Sequence, residues 1–218
     1  MARHELVIFE NGGASVRPVT AGAEPMHSGI GAWQEAQTLY VEQSCLASRL
    51  GQGGHEPLVV YDLGMGIAAN ALAAIECAQK QAQHRPLKII SFENDLDGLR
   101  LALKHRERFT FLEEHADKAQ AILDGGEWSA SDHSVRWELR QGDFQSFPLG
   151  PEKPELIYFD FYSPAHDTEL WGYRVFNNLK AVCAPGAALF TYSSATAVRA
   201  AMLLAGFHVG TGSSTPMK

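Results

Sequence analysis

Two short, uninterrupted apolar runs, "LVVY" at 58–61 and "LIYF" at 156–159, each followed at once by an acid, constrain this chain more than any other feature. A strand with no polar alternate has to be buried on both faces, and a sheet covered on both faces is built from parallel strands joined by helical crossovers. The surrounding pattern supplies the crossovers: strand 58–62, helix 69–82, strand 87–93, helix 96–123, strand 135–141, strand 155–161, helix 168–182, strand 188–192, helix 195–205 and strand 207–211. The periodicity therefore predicts a doubly wound, Rossmann-like α/β sheet. Between 127 and 135 the polar run "EWSASDHSV" reads as a surface loop.

Upstream of the first buried strand, "ELVIF" and "ASVRPV" flank "ENGGA", whose Asn-Gly-Gly suits the positive φ of a hairpin. "GAWQEAQTLYVEQSCLASRLGQGG" then carries Leu39, Leu46 and Leu50 on one stripe and ends in glycines, which predicts one helix. Residues 1–57 are thus expected to flank a core spanning 58–218, the two forming one compact unit. A chain of 218 residues, 45% of them apolar, is large enough to bury such a core.

Several function classes are disfavoured by what the sequence lacks. No run of eighteen apolar residues is present, and "MARHELVIFE" has no signal-peptide layout, so the expected location is the cytoplasm, away from membrane. Cys45, Cys77 and Cys183 form no C-x-x-C, and none of the nine histidines stands in an H-E-x-x-H arrangement, so no metal site is expected. A net charge of -7 makes broad attraction to a polyanion unfavourable. Any nucleic-acid partner has to meet a local basic patch, for which "LRLALKHRERF" offers Arg100, Lys104, His105, Arg106 and Arg108; the solvated face of a helix has the same composition.

In an open α/β sheet ligands bind beyond the carboxyl ends of the strands. Acids gather there: Asp62, Glu93, Asp143 in "QGDF" and Asp160 in "FDFYSP". After the first core strand, "DLGMGIAANAL" places Gly64 and Gly66 where a tight turn brings the backbone close to a ligand, with Ala68 and Ala69 opening the next helix. G-M-G-I-A-A also satisfies a dinucleotide fingerprint ending in alanine. Asp62, two residues before the first glycine, would repel a pyrophosphate and attract the cationic methionine end of S-adenosylmethionine, so the latter cofactor is favoured. Glu93 then suits the ribose hydroxyls, Asp143 the adenine amine, and Phe144, Phe92 or Leu63 the adenine faces. Asp160, with Phe161, Tyr162 and Pro164 beside it, suits an amine nucleophile that has to be oriented and relieved of a proton.

These segments, together with "HSGIGAWQEA", "SFEND", "FDFYSPAHDTELW" and "TYSSATAVRAAMLLAGF", resemble the methyltransferase domain of the MnmC-like tRNA 5-methylaminomethyl-2-thiouridine biosynthesis family, including stand-alone members without the oxidase domain. The resemblance implies a class I S-adenosylmethionine-dependent methyltransferase that converts an aminomethyl group on a tRNA wobble uridine to methylaminomethyl. It implies Asp160 as the catalytic acid beside the substrate amine, and Asp62, Gly64, Gly66, Glu93 and Asp143 as cofactor contacts, to which the reading of the residues adds Phe144. Glu35, Ser28 and Tyr162 are implied on the substrate side, and a separate oxidase acting on the same uridine as a partner. Three departures stand out. "DFYSP" puts Phe161 where the family has glycine, "GMGIA" keeps two of the three glycines of G-F-G-T-G, and the family's last antiparallel strand is expected to be missing. A methyl- or aminopropyltransferase acting on a small amine, and a non-catalytic binding protein of the same fold, are the alternatives.

Overall fold

The computed structural model describes residues 3–20, 22–27, 29–147 and 150–212. Strands β1 (His4–Ile8) and β2 (Ala14–Pro18) pair antiparallel as the expected hairpin, with Leu6 opposite Val16. Helix α1 (Ala32–Glu35) leads into a π-helical stretch, Ala36–Glu42, and α2 (Leu46–Leu50) follows. The single helix expected here is therefore broken. Ala36, Leu39, Tyr40 and Val41 are all buried, a wider face than one α-helical stripe offers. The chain widens its turn to bury them, Gln43 N–H reaching back to Thr38 O at 3.3 Å, and then reverses at Cys45 with φ +53.

The core runs β3 (Leu58–Leu63), α3 (Ala69–Gln79), β4 (Leu87–Glu93), α4 (Asp97–Lys104), α5 (Thr110–Glu114), α6 (Ala116–Gly125), β5 (Glu127–Ser129), β6 (Val135–Gln141), β7 (Leu156–Phe159), α7 (Tyr173–Val182), β8 (Ala188–Phe190) and α8 (Thr196–Leu204). The helix expected over 96–123 is interrupted near Phe109 and His115. Phe109 and Phe111 are both buried, and residues two apart cannot share one helical face. The polar segment after Gly126 is not simply a loop: β5 pairs antiparallel with β6, Trp128 opposite Trp137. Helix α7 starts at Tyr173, five residues later than the periodicity suggests, because 163–172 are taken up by turns. Residues 207–211, expected as a strand, are not one, and β8 is the last strand among the described residues.

The six-stranded sheet has the order β5-β6-β4-β3-β7-β8, all parallel except β5. Alternation along its central strand explains the two covered faces. Leu58 and Val60 point into a core shared with the π-helical stretch, α3, α4 and α6, whereas Val59, Tyr61 and Leu63 pack with Val175, Phe176 and Leu179 of α7 and Val198 and Met202 of α8. A one-residue slip of β3 would exchange these sets, and full burial of one Leu or Ile is worth about 1.5–3 kcal/mol, so the register is strongly held.

Candidate active site

The order of the sheet reverses between β3 and β7: β4, β6 and β5 lie to one side, β8 to the other. Such a switch point opens a crevice at the carboxyl ends of the two strands, because their connections leave in opposite directions. Register sets the residues at its rim. Leu63 pairs with both Phe92 and Phe159, so the next residues, Gly64, Glu93 and Asp160, emerge at one level. Glu93 pairs with Gln141, which brings Asp143 to the same end.

A cavity of about 880 Å³ occupies this end, a volume within the usual range of small-molecule sites. Gly64, Gly66, Glu93, Asp143, Phe144 and Asp160 all line it. Gly64 has φ +83, and a Cβ there would stand 2.6 Å from the Asp160 carbonyl oxygen, so only glycine lets the two strand ends approach this closely. Ala68, where the family pattern has its third glycine, takes φ +68 as the residue before α3, a left-handed conformation that is costly for alanine.

Glu93 is held by backbone donors: Gly66 N–H to Oε2 at 2.9 Å, and Asn94 and Asp95 N–H to Oε1 at 2.8 and 3.0 Å. Burial pushes its carboxyl up, and these three bonds act against that. A carboxylate offers about four lone-pair positions, so room remains for a ligand hydroxyl. Asp143 Oδ1 caps the short turn after β6 by accepting from Gln145 N–H at 3.0 Å. Phe144 packs edge-on against Phe92 with ring centroids 5.2 Å apart, giving this end an apolar wall.

Asp62 differs from the expectation. It lies one step inside the sheet, opposite Ser91 and Tyr158, is 0% exposed, and does not line the cavity. Its Oδ2 accepts from Ser91 Oγ at 2.6 Å, while Oδ1 has no partner within hydrogen-bond geometry among the described residues. Burial raises its pKa to about 7 despite the Ser91 bond. Asp62 does not stand at the rim with the other acids, because the strand continues through Leu63, which keeps Asp62 below it. It underlies the glycine turn instead.

On the opposite side Asp160 Oδ2 accepts from Asn70 Nδ2 at 2.8 Å. Burial raises the Asp160 pKa, opposed by His27, by Tyr40 and by the Asn70 bond. Glu35, 9% exposed at the end of α1, lines the cavity and adds a second negative charge near Asp160. Tyr162 lines it too, with a buried hydroxyl that has no hydrogen-bond partner among the described residues. Trp171 does not line the cavity; its Nε1 donates to Tyr162 O at 2.8 Å and ties down the substrate-side loop. Phe161 packs against Phe159 and Phe144 at centroid distances of 5.1 and 5.9 Å, and Tyr192 Oη donates to its carbonyl at 3.0 Å. Ser28 lies outside the described residues.

Asn70, His27, Tyr40 and Tyr192 belong to this site although their spacing in the chain does not single them out. His27 opens the "HSGIGAWQEA" segment next to Ser28, and Asn70 lies within "DLGMGIAANAL". Arg100, Lys104, His105, Arg106 and Arg108 do not line the cavity, and Arg100 pairs with Asp97 at 2.9 Å. Away from the cavity, Glu76, Glu114 and His115 bring ligand-type atoms within 4.8 Å of one another, but Lys80 already pairs with Glu76.

Residues 126–218 match the family described as S-adenosyl-L-methionine-dependent methyltransferase. The chain is 30% identical over 192 residues to the tRNA 5-methylaminomethyl-2-thiouridine biosynthesis bifunctional protein MnmC of Burkholderia vietnamiensis, an alignment covering 81% of this chain and 28% of that protein. It is 27% identical over 195 residues to the protein of the same name from Aeromonas salmonicida, covering 79% of this chain and 28% of the relative. The chain thus spans less than a third of the length of these curated relatives. Among solved structures it is similar to MnmC2 from Aquifex aeolicus, with a TM-score of 0.77 and 23% identity over 98% of this chain and 68% of the other, a likeness of fold.

Proposed function

We propose that this chain, which belongs to the S-adenosyl-L-methionine-dependent methyltransferases related to the methyltransferase part of MnmC, N-methylates an aminomethyl group on a tRNA wobble uridine. The observation that carries the reading is the meeting of Gly64, Glu93 and Asp160 at one level of the switch point, beside a cavity of about 880 Å³. The residues present fit S-adenosylmethionine. Gly64 keeps the strand ends bare of side chain, Glu93 retains acceptor capacity for ribose hydroxyls, and Asp143 Oδ2 makes no bond among the described residues. Phe144 and Phe92 supply an apolar wall for adenine. When bound, this cosubstrate supplies a methyl group activated by a sulfonium.

The remaining work falls to Asp160. An alkylammonium has no lone pair to offer, so the substrate nitrogen has to give up a proton before it can act as nucleophile. A carboxylate whose pKa burial has raised is a better acceptor for that proton than an exposed one. Held by Asn70 through Oδ2, Asp160 can orient the amine and stabilise the positive charge that develops on nitrogen. Glu35 lies close enough to reinforce the same negative potential. Methyl transfer needs alignment above all, so positioning dominates over covalent catalysis by the protein.

The tRNA partner is proposed from the relatives' names, and a separate oxidase acting on the same uridine from the family resemblance. A basic patch is not among the cavity-lining residues, so contacts to the phosphate backbone fall outside it. Among the described residues no helix is long and apolar enough to cross a membrane, and we place the activity in the cytoplasm, where tRNA is modified. The test is transfer of labelled methyl from S-adenosylmethionine to tRNA taken from cells lacking this modification. Label in aminomethyl-uridine nucleosides is expected. Label that enters free polyamines and leaves tRNA unlabelled would overturn the tRNA reading in favour of a small-amine substrate.

A further inference from the structure

Asn70 joins the two carboxylates of the switch point. It stands in the first turn of α3, 5% exposed, and its Nδ2 donates to Asp160 Oδ2 at 2.8 Å. An amide nitrogen carries two hydrogens. On its other side Asn70 lies beside Asp62, the carboxyl whose Oδ1 is buried without a partner in hydrogen-bond geometry among the described residues. Asp62 Oδ2 is in turn held by Ser91 Oγ at 2.6 Å, and Ser91 Oγ receives Trp137 Nε1 at 2.8 Å. Polar groups therefore run from Trp137, fully buried in the sheet, through Ser91, Asp62 and Asn70 to the carboxylate in the crevice.

We propose that Asn70 is the positioning residue for Asp160, fixing one carboxylate oxygen so that the other is presented to the substrate nitrogen. The inference rests on the reading of Asp160 as the group that faces the amine. Its physical content is twofold. A carboxylate free to rotate about its terminal torsion spends much of its time misaligned, and small misplacements of a reacting group are costly in rate. A hydrogen bond to the ionised form also favours that form, in a pocket where burial works the other way. The other groups facing Asp160 are His27 from the segment after β2, Glu35 of α1, Tyr40 of the π-helical stretch, Asp62 of β3 and Tyr192 after β8. Of these, Glu35 and Asp62 oppose ionisation of Asp160, and His27 and Tyr40 assist it. An amide at position 70 donates to Asp160 without adding charge, whereas an aspartate would add charge and a small apolar residue would not donate.

The test compares Asn70→Ala, Asn70→Asp and Asn70→Ser with the parent protein in methyl transfer to undermodified tRNA, with S-adenosylmethionine affinity measured by calorimetry. Asn70→Ala is expected to bind S-adenosylmethionine within about 3-fold of the parent, to lower kcat about 10–100-fold, and to move the acidic limb of the kcat profile to higher pH. Asn70→Asp is expected to move that limb further, and Asn70→Ser, which keeps a donor, to recover part of kcat and to serve where the alanine variant does not fold. An unchanged acidic limb in Asn70→Ala and Asn70→Ser overturns the proposal, whether kcat is retained or falls together with cofactor affinity. The carboxyl-carbon NMR titration of Asp160, assigned against Asp160→Asn, separates the two ideas. If the parent methylates no tRNA, the substrate reading fails. The Asp160 midpoint still decides the role of Asn70: a rise in the alanine variant supports it, and no change overturns it.

Discussion

Asp62 allows the sharpest quantitative test, because its protonation is tied to the fold rather than to any ligand. Its carboxyl is 0% exposed, accepts from Ser91 Oγ, and is pushed from an ordinary value of 3.8 up to about 7 by burial. The sign follows from linkage. Between these two values the unfolded chain has released the proton and the folded chain still holds it, so the folded state binds more protons and stability falls as pH rises. Above about pH 7 both states are ionised and the loss is complete. From pH 5 to about pH 7 the loss is two units at about 1.4 kcal/mol each, or roughly 3 kcal/mol. Asp62→Asn keeps an acceptor for Ser91 Oγ and cannot ionise. The stability of the variant minus that of the parent is therefore expected to widen by roughly 3 kcal/mol between pH 5 and pH 8. Urea unfolding of both proteins at the two pH values measures it, with the difference between proteins cancelling every other titrating group. A difference that stays constant within about 0.5 kcal/mol would show an ordinary carboxyl at Asp62 and remove the account of how burial acts here.

Two further perturbations address the crevice. Gly64→Ala puts a Cβ 2.6 Å from the Asp160 carbonyl oxygen at φ +83, so a loss of about 3 kcal/mol or more in thermal or denaturant stability is expected, with loss of S-adenosylmethionine binding. A variant that binds the cosubstrate like the parent refutes the tight approach of β3 and β7. Glu93→Gln sets an amide NH₂ where three backbone N–H groups converge, and loss of a bond to a charged acceptor is worth about 1.5–3 kcal/mol, so S-adenosylmethionine affinity is expected to fall about 10–100-fold. Calorimetry giving an unchanged affinity would take Glu93 out of the cosubstrate site.

The sheet was legible because both of its faces are apolar. "LVVY" and "LIYF" admit no amphipathic alternative, and the acids after them mark where each strand leaves the core. Helix boundaries were less legible, since periodicity reports a face and not a break. Phe109 and Phe111 are both apolar and fit a long helical window, yet both are buried because the chain leaves helix at Phe109 before α5 starts at Thr110. Within the site, Glu93, Asp143 and Asp160 stand at strand ends as expected, because register alone places them there. Asp62 was misread by one residue. Leu63 after it is the sign that the strand had not yet ended, and a slip of one position separates a rim carboxylate from a buried one. Asn70 and His27 were not singled out because a lone amide or imidazole has no spacing signature. Asn70 meets its partner across 90 residues of chain.

The acidity of the crevice bears on why the chain carries net negative charge although its proposed substrate is a polyanion. The two reacting groups are both cationic before reaction, an alkylammonium and a sulfonium, and bringing them together in a low-dielectric cavity is costly unless opposite charge is already fixed there. Glu35, Glu93, Asp143 and Asp160 supply that charge from four different elements, so no single side chain has to hold it all. Crowding carboxylates raises their proton affinity, and the response in this structure differs with depth. Asp62, below the rim, is pushed up to about 7 by burial, while Asp160 above it, also raised by burial, receives Asn70, Tyr40 and His27, all of which favour ionisation. The rim carboxyl thus has the donors that a proton acceptor for an amine requires, whereas the deeper one does not line the cavity. It follows that Asp62→Asn should alter stability far more than the acidic limb of catalysis, and Asp160→Asn the reverse.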